Sequence, residues 1–445
     1  MKLSSLLLCL LIFSVAFGQV PELVLENEVF FDGVYHGGVD TTGTSDVWGW
    51  TSSDGEEYVL AGVKDGTAII RASDMQHLFT VPGPTFGDYY YHRDIKTYRH
   101  YAYVSAEMTG TNEGVQVIDL SGLPDTVVYL KSRTDRITTS HNLSIDTLNA
   151  RAYVTGSTFE GVYIYDLFDP ENPLAVAYLA ESGVHDVFAR NDTAWIANGV
   201  DYSIWYMIDP ADPILITRLT DTTFGYCHNI WPTKDGRHFV TTEETADKTV
   251  KIWSLDAQGN TALVSEFLAP CKLAHNAHVE GDYLFLSHYT SGVYVVDLHD
   301  PANPVAVAQY DTYPLNDTSE FYGCWGVYPH SPSGYIYASS FEGKVQKFRF
   351  AQPTGISPER TEIPVLLFPN PGTSPALGFS LGQKSKVILR WLDAQGRELS
   401  AQQYELGAGA HRLEAEATVW PSGRYFYQLE TAEGKAAGTW LKAAQ

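Results

Sequence analysis

Over most of the first 350 positions, apolar and polar residues alternate in short runs, and turn-forming residues interrupt them every few positions. One stretch shows the unit in full: His141 to Asp146, Arg151 to Thr155, Gly161 to Leu167, then the turn Asp169-Pro-Glu-Asn-Pro173 leading into Leu174 to Tyr178. Strict alternation over five to seven residues is the pattern of half-buried strands, and four such runs with tight turns between them predict a four-stranded antiparallel sheet.

The unit repeats. Its first run is opened by a polar phrase that returns as Ser45-Asp46, Arg93-Asp94, His141-Asn142, His185-Asp186, His228-Asn229, His275-Asn276 and Trp325-Gly326, at intervals of 43 to 50 residues. A period of this length is the signature of a propeller or a related repeat array. The seventh unit reaches Phe350 with only three runs, whereas Glu22 to Phe31 is a strand pattern that belongs to no unit. An N-terminal strand completing the last sheet would close the ring and remove an exposed edge. The expected fold is all-β: a seven-bladed propeller over residues 19–350, closed by that strand. Residues 351–364 carry three prolines and no periodicity, so they read as a linker. Runs such as Lys386 to Trp391 and Arg424 to Leu429 predict a small Ig-like β-sandwich over 365–445.

Composition supports the all-β reading, since 28 Tyr and 10 Trp set against 4 Met favour strands. A net charge of −24 disfavours nucleic acid and anionic membrane as partners and makes cations the natural small ligands. Met1 to Gly18, with one Lys, an apolar run and small residues before Gln19, has the layout of a secretory signal peptide. No other run is long enough to span a bilayer, so the mature chain is expected to have no transmembrane segment. In an oxidising compartment the odd set Cys227, Cys271 and Cys324 leads to an expectation of one disulfide, either Cys227 with Cys271 or Cys271 with Cys324, and one free thiol.

Two family resemblances rest on these phrases. Residues 22–350 resemble the choice-of-anchor B family of LVIVD-type repeats through Ser45-Asp-Val-Trp-Gly49, Arg93 to Tyr98, Gly114 to Ser121, Asp169 to Pro173, His228-Asn-Ile-Trp231, Gly292 to Leu298 and Trp325-Gly326. The first repeat departs from the pattern, with Ala72-Ser-Asp-Met-Gln76 at the usual Asp-Pro turn. Residues 365–445 are similar to type IX secretion sorting domains through Phe368-Pro-Asn-Pro371, Asp393-Ala-Gln-Gly396 and Pro421 to Tyr425. The resemblances imply a surface-displayed or secreted bacterial propeller, extracellular or on the outer cell surface, delivered to secretion and surface-attachment machinery by residues 365–445.

Candidate chemistry gathers where the loops entering the first strands and joining second to third strands share one face of the disc. Those loops bring His141, His185, His228 and His275 together with Asp46, Asp94, Glu107, Glu243, Glu244 and His288. Histidine with carboxylate is the composition of a divalent metal site, compatible with Zn, Mn or Fe. The same residues also suit a structural role as hydrogen-bonded locks of the turn before each inner strand, the preferred reading because every blade of a repeat needs one. The aromatic residues Tyr89, Tyr90, Tyr91, Tyr226, Phe321 and Tyr322 on these loops form a candidate surface for a glycan, peptide or protein. Phosphate loops, nucleophile elbows and HExxH motifs are absent from the sequence. A non-enzymatic binding module is therefore expected first, and a metal-dependent hydrolase or lactonase-like enzyme second.

Overall fold

The computed structural model describes residues 22–36, 39–87, 91–156, 160–351, 365–368, 373–393, 397–415, 417, 419–431 and 435–442; the candidate leader and the interior of the linker lie outside them. Among the described residues all regular structure is strand, and no helix is long and apolar enough to cross a membrane.

Seven four-stranded antiparallel sheets lie within residues 22–351, together with a two-stranded ribbon of Val34–His36 and Val39–Thr42. Each of the seven starts from the strand at or directly after the polar phrase: Thr44–Thr51, Arg93–Tyr98, Ser140–Asp146, Asp186–Arg190, Cys227–Pro232, Ala277–Glu280 and Cys324–Tyr328. These inner strands pack in cyclic order from Thr44–Thr51 against Arg93–Tyr98 to Cys227–Pro232 against Ala277–Glu280; Tyr283–Ser287 of the sixth sheet then meets Cys324–Tyr328, which packs back against Thr44–Thr51. The result is a ring of blades, the propeller architecture. Period-two alternation explains it, because each sheet must bury both faces between its neighbours. The interfaces are apolar: Val104, Ile118 and Leu120 meet Leu60 and Ile69 in one cluster, and Val187, Ile196 and Met207 meet Val162 and Ile164 in another.

Ring closure follows the sequence expectation. Glu22–Phe30 pairs antiparallel with Lys344–Ala351, from Glu22 opposite Ala351 to Phe30 opposite Lys344, so the N-terminal strand is the outer strand of the seventh sheet. Leu23 anchors it, 4% exposed, in a cluster with Phe348, Ile336 and Val293. The expectation of a disulfide is corrected: Cys227, Cys271 and Cys324 are all free and buried. Each thiol is held by its own blade instead, the Cys271 Sγ by His288 Nδ1 at 2.9 Å and the Cys324 Sγ by the Gly326 carbonyl at 3.6 Å.

Residues 365–442 form a separate two-sheet unit. A three-stranded sheet of Val365–Phe368, Ala376–Leu381 and Gly409–Glu414 and a four-stranded sheet of Glu398–Leu406, Ser385–Leu392, Gly423–Glu430 and Lys435–Lys442 are both antiparallel. They share one core around Phe379, Leu389, Trp391, Tyr427 and Trp440.

Candidate functional site

In four of the seven phrases the second residue locks the fold, across blades rather than within its own turn. Asp46 Oδ2 accepts the Ile95 N–H at 3.0 Å, Asp94 Oδ2 the Leu143 N–H at 3.2 Å, Asn142 Oδ1 the Val187 N–H at 3.2 Å and Asn229 Oδ1 the Ala277 N–H at 3.2 Å. Each carboxylate or amide thus satisfies a main-chain donor at the head of the next inner strand. A second relay runs through hydroxyls: Ser105, Thr155, Thr242 and Ser339 donate to the carbonyls of His141, His185, His275 and Ser45, each on the following blade. The seventh phrase has Gly326 because the relay closes tightly there; a Cβ would lie 3.0 Å from Ser339 Oγ and 3.4 Å from Asp46 Oδ1.

In five blades, the third to the seventh, the first residue of the phrase points into the mouth of the ring. In several blades the inner strand makes an irregular step at the phrase, as between Ser140 and Leu143 or Cys227 and Asn229. Such bulges re-aim a side chain, so two successive residues can both serve the axis. His141, His185, His228 and His275 form a continuous stack with centroid separations of 4.1, 4.2 and 4.4 Å. Two further rings complete the circle. Trp325 lies 5.2 Å from His275, and His92 lies 5.7 Å from Trp325 and 4.3 Å from His141, parallel to it within 5°.

The sequence reading missed His92. The second blade has no step in its pairing, from Arg93 opposite Ala106 onward, so its mouth residue sits one position earlier. Arg93 instead sends its guanidinium outward to the carbonyls of Tyr91 and Pro84.

Orientation of the imidazoles is set by the neighbouring blade. His185 Nδ1 donates to the His228 carbonyl at 3.1 Å and His275 Nδ1 to the Trp325 carbonyl at 2.5 Å. A carbonyl can only accept, so Nδ1 carries the proton and Nε2 presents a lone pair. His275 Nε2 and His228 Nε2 lie 3.8 and 3.9 Å from the same oxygen, Glu244 Oε1. The Tyr289 hydroxyl also donates to that oxygen, and His228 Nδ1 is buried with no hydrogen-bond partner among the described residues. His141 Nδ1 faces Glu107 Oε1 of the preceding blade at 2.8 Å.

Electrostatics follow from burial. It pushes His92, His185 and His228 well below the usual imidazole range and His275 down to about 4. Burial alone would lower His141 too, but its hydrogen bond to Glu107 and that carboxylate's charge raise it. Glu244 is raised to about 7 and Asp186 to about 6, again by burial. The mouth at neutral pH is therefore mostly uncharged imidazole beside carboxylates that are reluctant to ionise, an arrangement that a cation would stabilise.

These groups line one cavity of about 210 Å³. Of the residues proposed from sequence, Asp46, Asp94, Glu107, His141, His185, His228, His275, Glu244 and Phe321 line it. Asp46 and Asp94 are engaged by Lys96, which pairs with both. Glu243 and His288 do not reach it: Glu243 pairs with Lys251 and accepts the Gly225 N–H, and His288 is bonded to Cys271. Among the aromatic candidates, Tyr226 stands edge-on to His185 at 5.2 Å, 37% exposed. Tyr322 stacks on Tyr313, and Tyr91, in a left-handed backbone conformation, is not part of the cavity wall. Tyr89 and Tyr90 lie outside the described residues. Asp186, Tyr289 and Phe341 also line the cavity and were not singled out as site residues from the sequence. Three groups hold ligand atoms close enough together for one ion: His92 with Glu107 and His141, His141 with His185 and Asp186, and His228 with Glu244 and His275.

No model of a known protein family matches the chain, and no curated protein matches it. Among solved structures it is similar to Kuenenia stuttgartiensis hydrazine synthase, with a TM-score of 0.52 and 14% identity over 72% of this chain and 99% of that one. At that identity the likeness shows the fold alone, and the chain has the fold of a β-propeller.

Proposed function

We propose that this chain is an exported propeller, displayed on the cell surface or released, whose mouth holds a divalent transition metal ion and which acts by binding. The observation that carries the reading is the convergence of His228 Nε2 and His275 Nε2 on Glu244 Oε1 at 3.9 and 3.8 Å. Ligands around a tetrahedral zinc ion stand about 3.4 Å apart, given metal–ligand bonds of roughly 2.0–2.1 Å. Inward movement of about half an ångström would therefore close the site. The carbonyl-bonded Nδ1 of His275 is the outer support that metal-bound imidazoles ordinarily have. Export rests on the leader-like residues 1–18 and on residues 365–445 read as an Ig-like type IX sorting domain. The half-exposed Phe321 and Tyr226 at the rim give a partner glycan, peptide or protein a place to dock.

Metal analysis of the purified full chain, paired with titration of Zn(II) or Co(II) into chelator-treated protein, tests the proposal. The expected result is one tightly held ion that is lost in His228→Ala and in Glu244→Gln; protein that takes up no stoichiometric metal refutes it. A second reading, a metal-dependent hydrolase or lactonase-like enzyme, is favoured by the Glu107–His141 pair at 2.8 Å, which has the composition of a general base. Turnover of ester or lactone substrates that disappears in Glu107→Gln, with metal content unchanged, would select it.

A further inference from the structure

The mouth has two unlike halves. From the second to the sixth blade its wall is imidazole among carboxylates, whereas between the sixth blade and the second it is mainly aromatic, with Asp46 beside the rings. Trp325 packs on Phe341 at 4.6 Å, and Tyr289 packs on Phe321 at 5.2 Å and on Phe341 at 6.0 Å. The group His228–Glu244–His275 sits at the seam, because His275 touches Trp325 at 5.2 Å and Tyr289 at 4.8 Å. Three protein ligands leave an ion at least one open position. A group coordinating there has its body against the Trp325 and Phe341 rings.

Size narrows the ligand further. An apolar cavity of about 150 Å³ admits a benzene ring, so a mouth of about 210 Å³ admits one ring with a small polar head. Charge sets the condition for entry. An oxyanion head would meet Glu244 and Asp186 in the empty mouth, and only a bound cation reverses that repulsion.

The geometry points to a small planar chelator as the ligand of this site: an oxygen-donor head on the metal ion and an apolar ring stacked along Trp325 and Phe341. This inference rests on the metal site proposed above and names what that site takes. The hydrophobic half supplies selectivity for the ring, and the ion supplies the requirement for the head.

Calorimetric titration of the Zn(II)-loaded full chain with benzohydroxamate, and with acetohydroxamate as the ringless control, tests it. Benzohydroxamate should bind roughly tenfold or more tightly than acetohydroxamate, as expected for burial of one ring, and the metal-free chain should bind neither. Trp325→Leu removes the ring wall but keeps the main-chain carbonyl that orients His275, so it should abolish most of the preference without changing zinc stoichiometry. Phe341→Leu provides the same comparison should Trp325→Leu not fold. Equal affinity for the two hydroxamates, a preference that survives both substitutions, or binding to the metal-free chain overturns the inference and leaves the metal site standing. Failure to take up zinc overturns the metal site and the inference together.

Discussion

Replacing Glu244 with Gln separates the cost of the mouth from its use. In the metal-free protein, burial raises this carboxyl from its ordinary 4.5 to about 7, although its side chain keeps 16% of its exposure and accepts a bond from the Tyr289 hydroxyl. A group raised in the folded state contributes its full stability below its unfolded value and loses it as pH climbs through the folded one. The window is therefore pH 4.5 to 7. At about 1.4 kcal/mol for each tenfold change in proton activity, the wild type gives up roughly 3 kcal/mol across it. Glutamine keeps the shape and the Tyr289 partner and cannot ionise. In chelator at about pH 8.5, Glu244→Gln should accordingly be more stable than wild type by about 2–3 kcal/mol, while at about pH 5 the two should nearly coincide. Urea denaturation followed by tryptophan fluorescence measures both differences, and comparison at each pH cancels the titrating groups that do not interact with Glu244. Added Zn(II) should invert the order once the ion stands at about one thousand times its Kd, where it stabilises the wild type by about 4.1 kcal/mol. A variant that is less stable than wild type at the alkaline pH in chelator, or whose gain is just as large at the acidic one, would refute the assignment of that burial cost to Glu244.

Other outcomes rest on the blade contacts. Leu23→Ala, in the closing strand, should cost about 2–5 kcal/mol in urea denaturation, and deletion of residues 22–30 should produce oligomers in size-exclusion chromatography by baring the edge of Lys344–Ala351. Asp94→Ala strands the Leu143 N–H and removes one partner of Lys96, with an expected loss of about 2–4 kcal/mol; Asp74→Ala, at an exposed turn, provides a control that should change little. Thiol titration of denatured protein without reductant should count Cys227, Cys271 and Cys324 as free, and reductant should leave the melting temperature unchanged.

Much of the fold is legible in the sequence and rather less of the site. Alternation marked the strands of each blade, and the unpaired Glu22 to Phe31 pattern found its place in the seventh sheet, because strand patterning is local and a missing strand leaves a countable gap. The histidines were visible as a repeated letter. His92 was not, since the absence of a bulge in one blade moves the mouth position by one residue, and pairing irregularities have no reliable mark in composition. Glu243 and Glu244 show the same limit. They are adjacent at the end of one strand, yet the first is sealed against Lys251 and the second faces the two imidazoles.

By itself, the sequence determined the number of blades, their strand order and the closure of the ring, all of which depend on periods of two and of 43 to 50 residues written along the chain. Tertiary structure alone decided what the phrase does. In four blades its second residue bonds the next blade, and in five its first residue joins His92 in a ring of six aromatic side chains drawn from six blades. No local pattern encodes that ring. It exists because closing the propeller brings positions more than forty residues apart to within about 4–6 Å of one another, where burial sets their charge and Glu244 gives two of them a common partner.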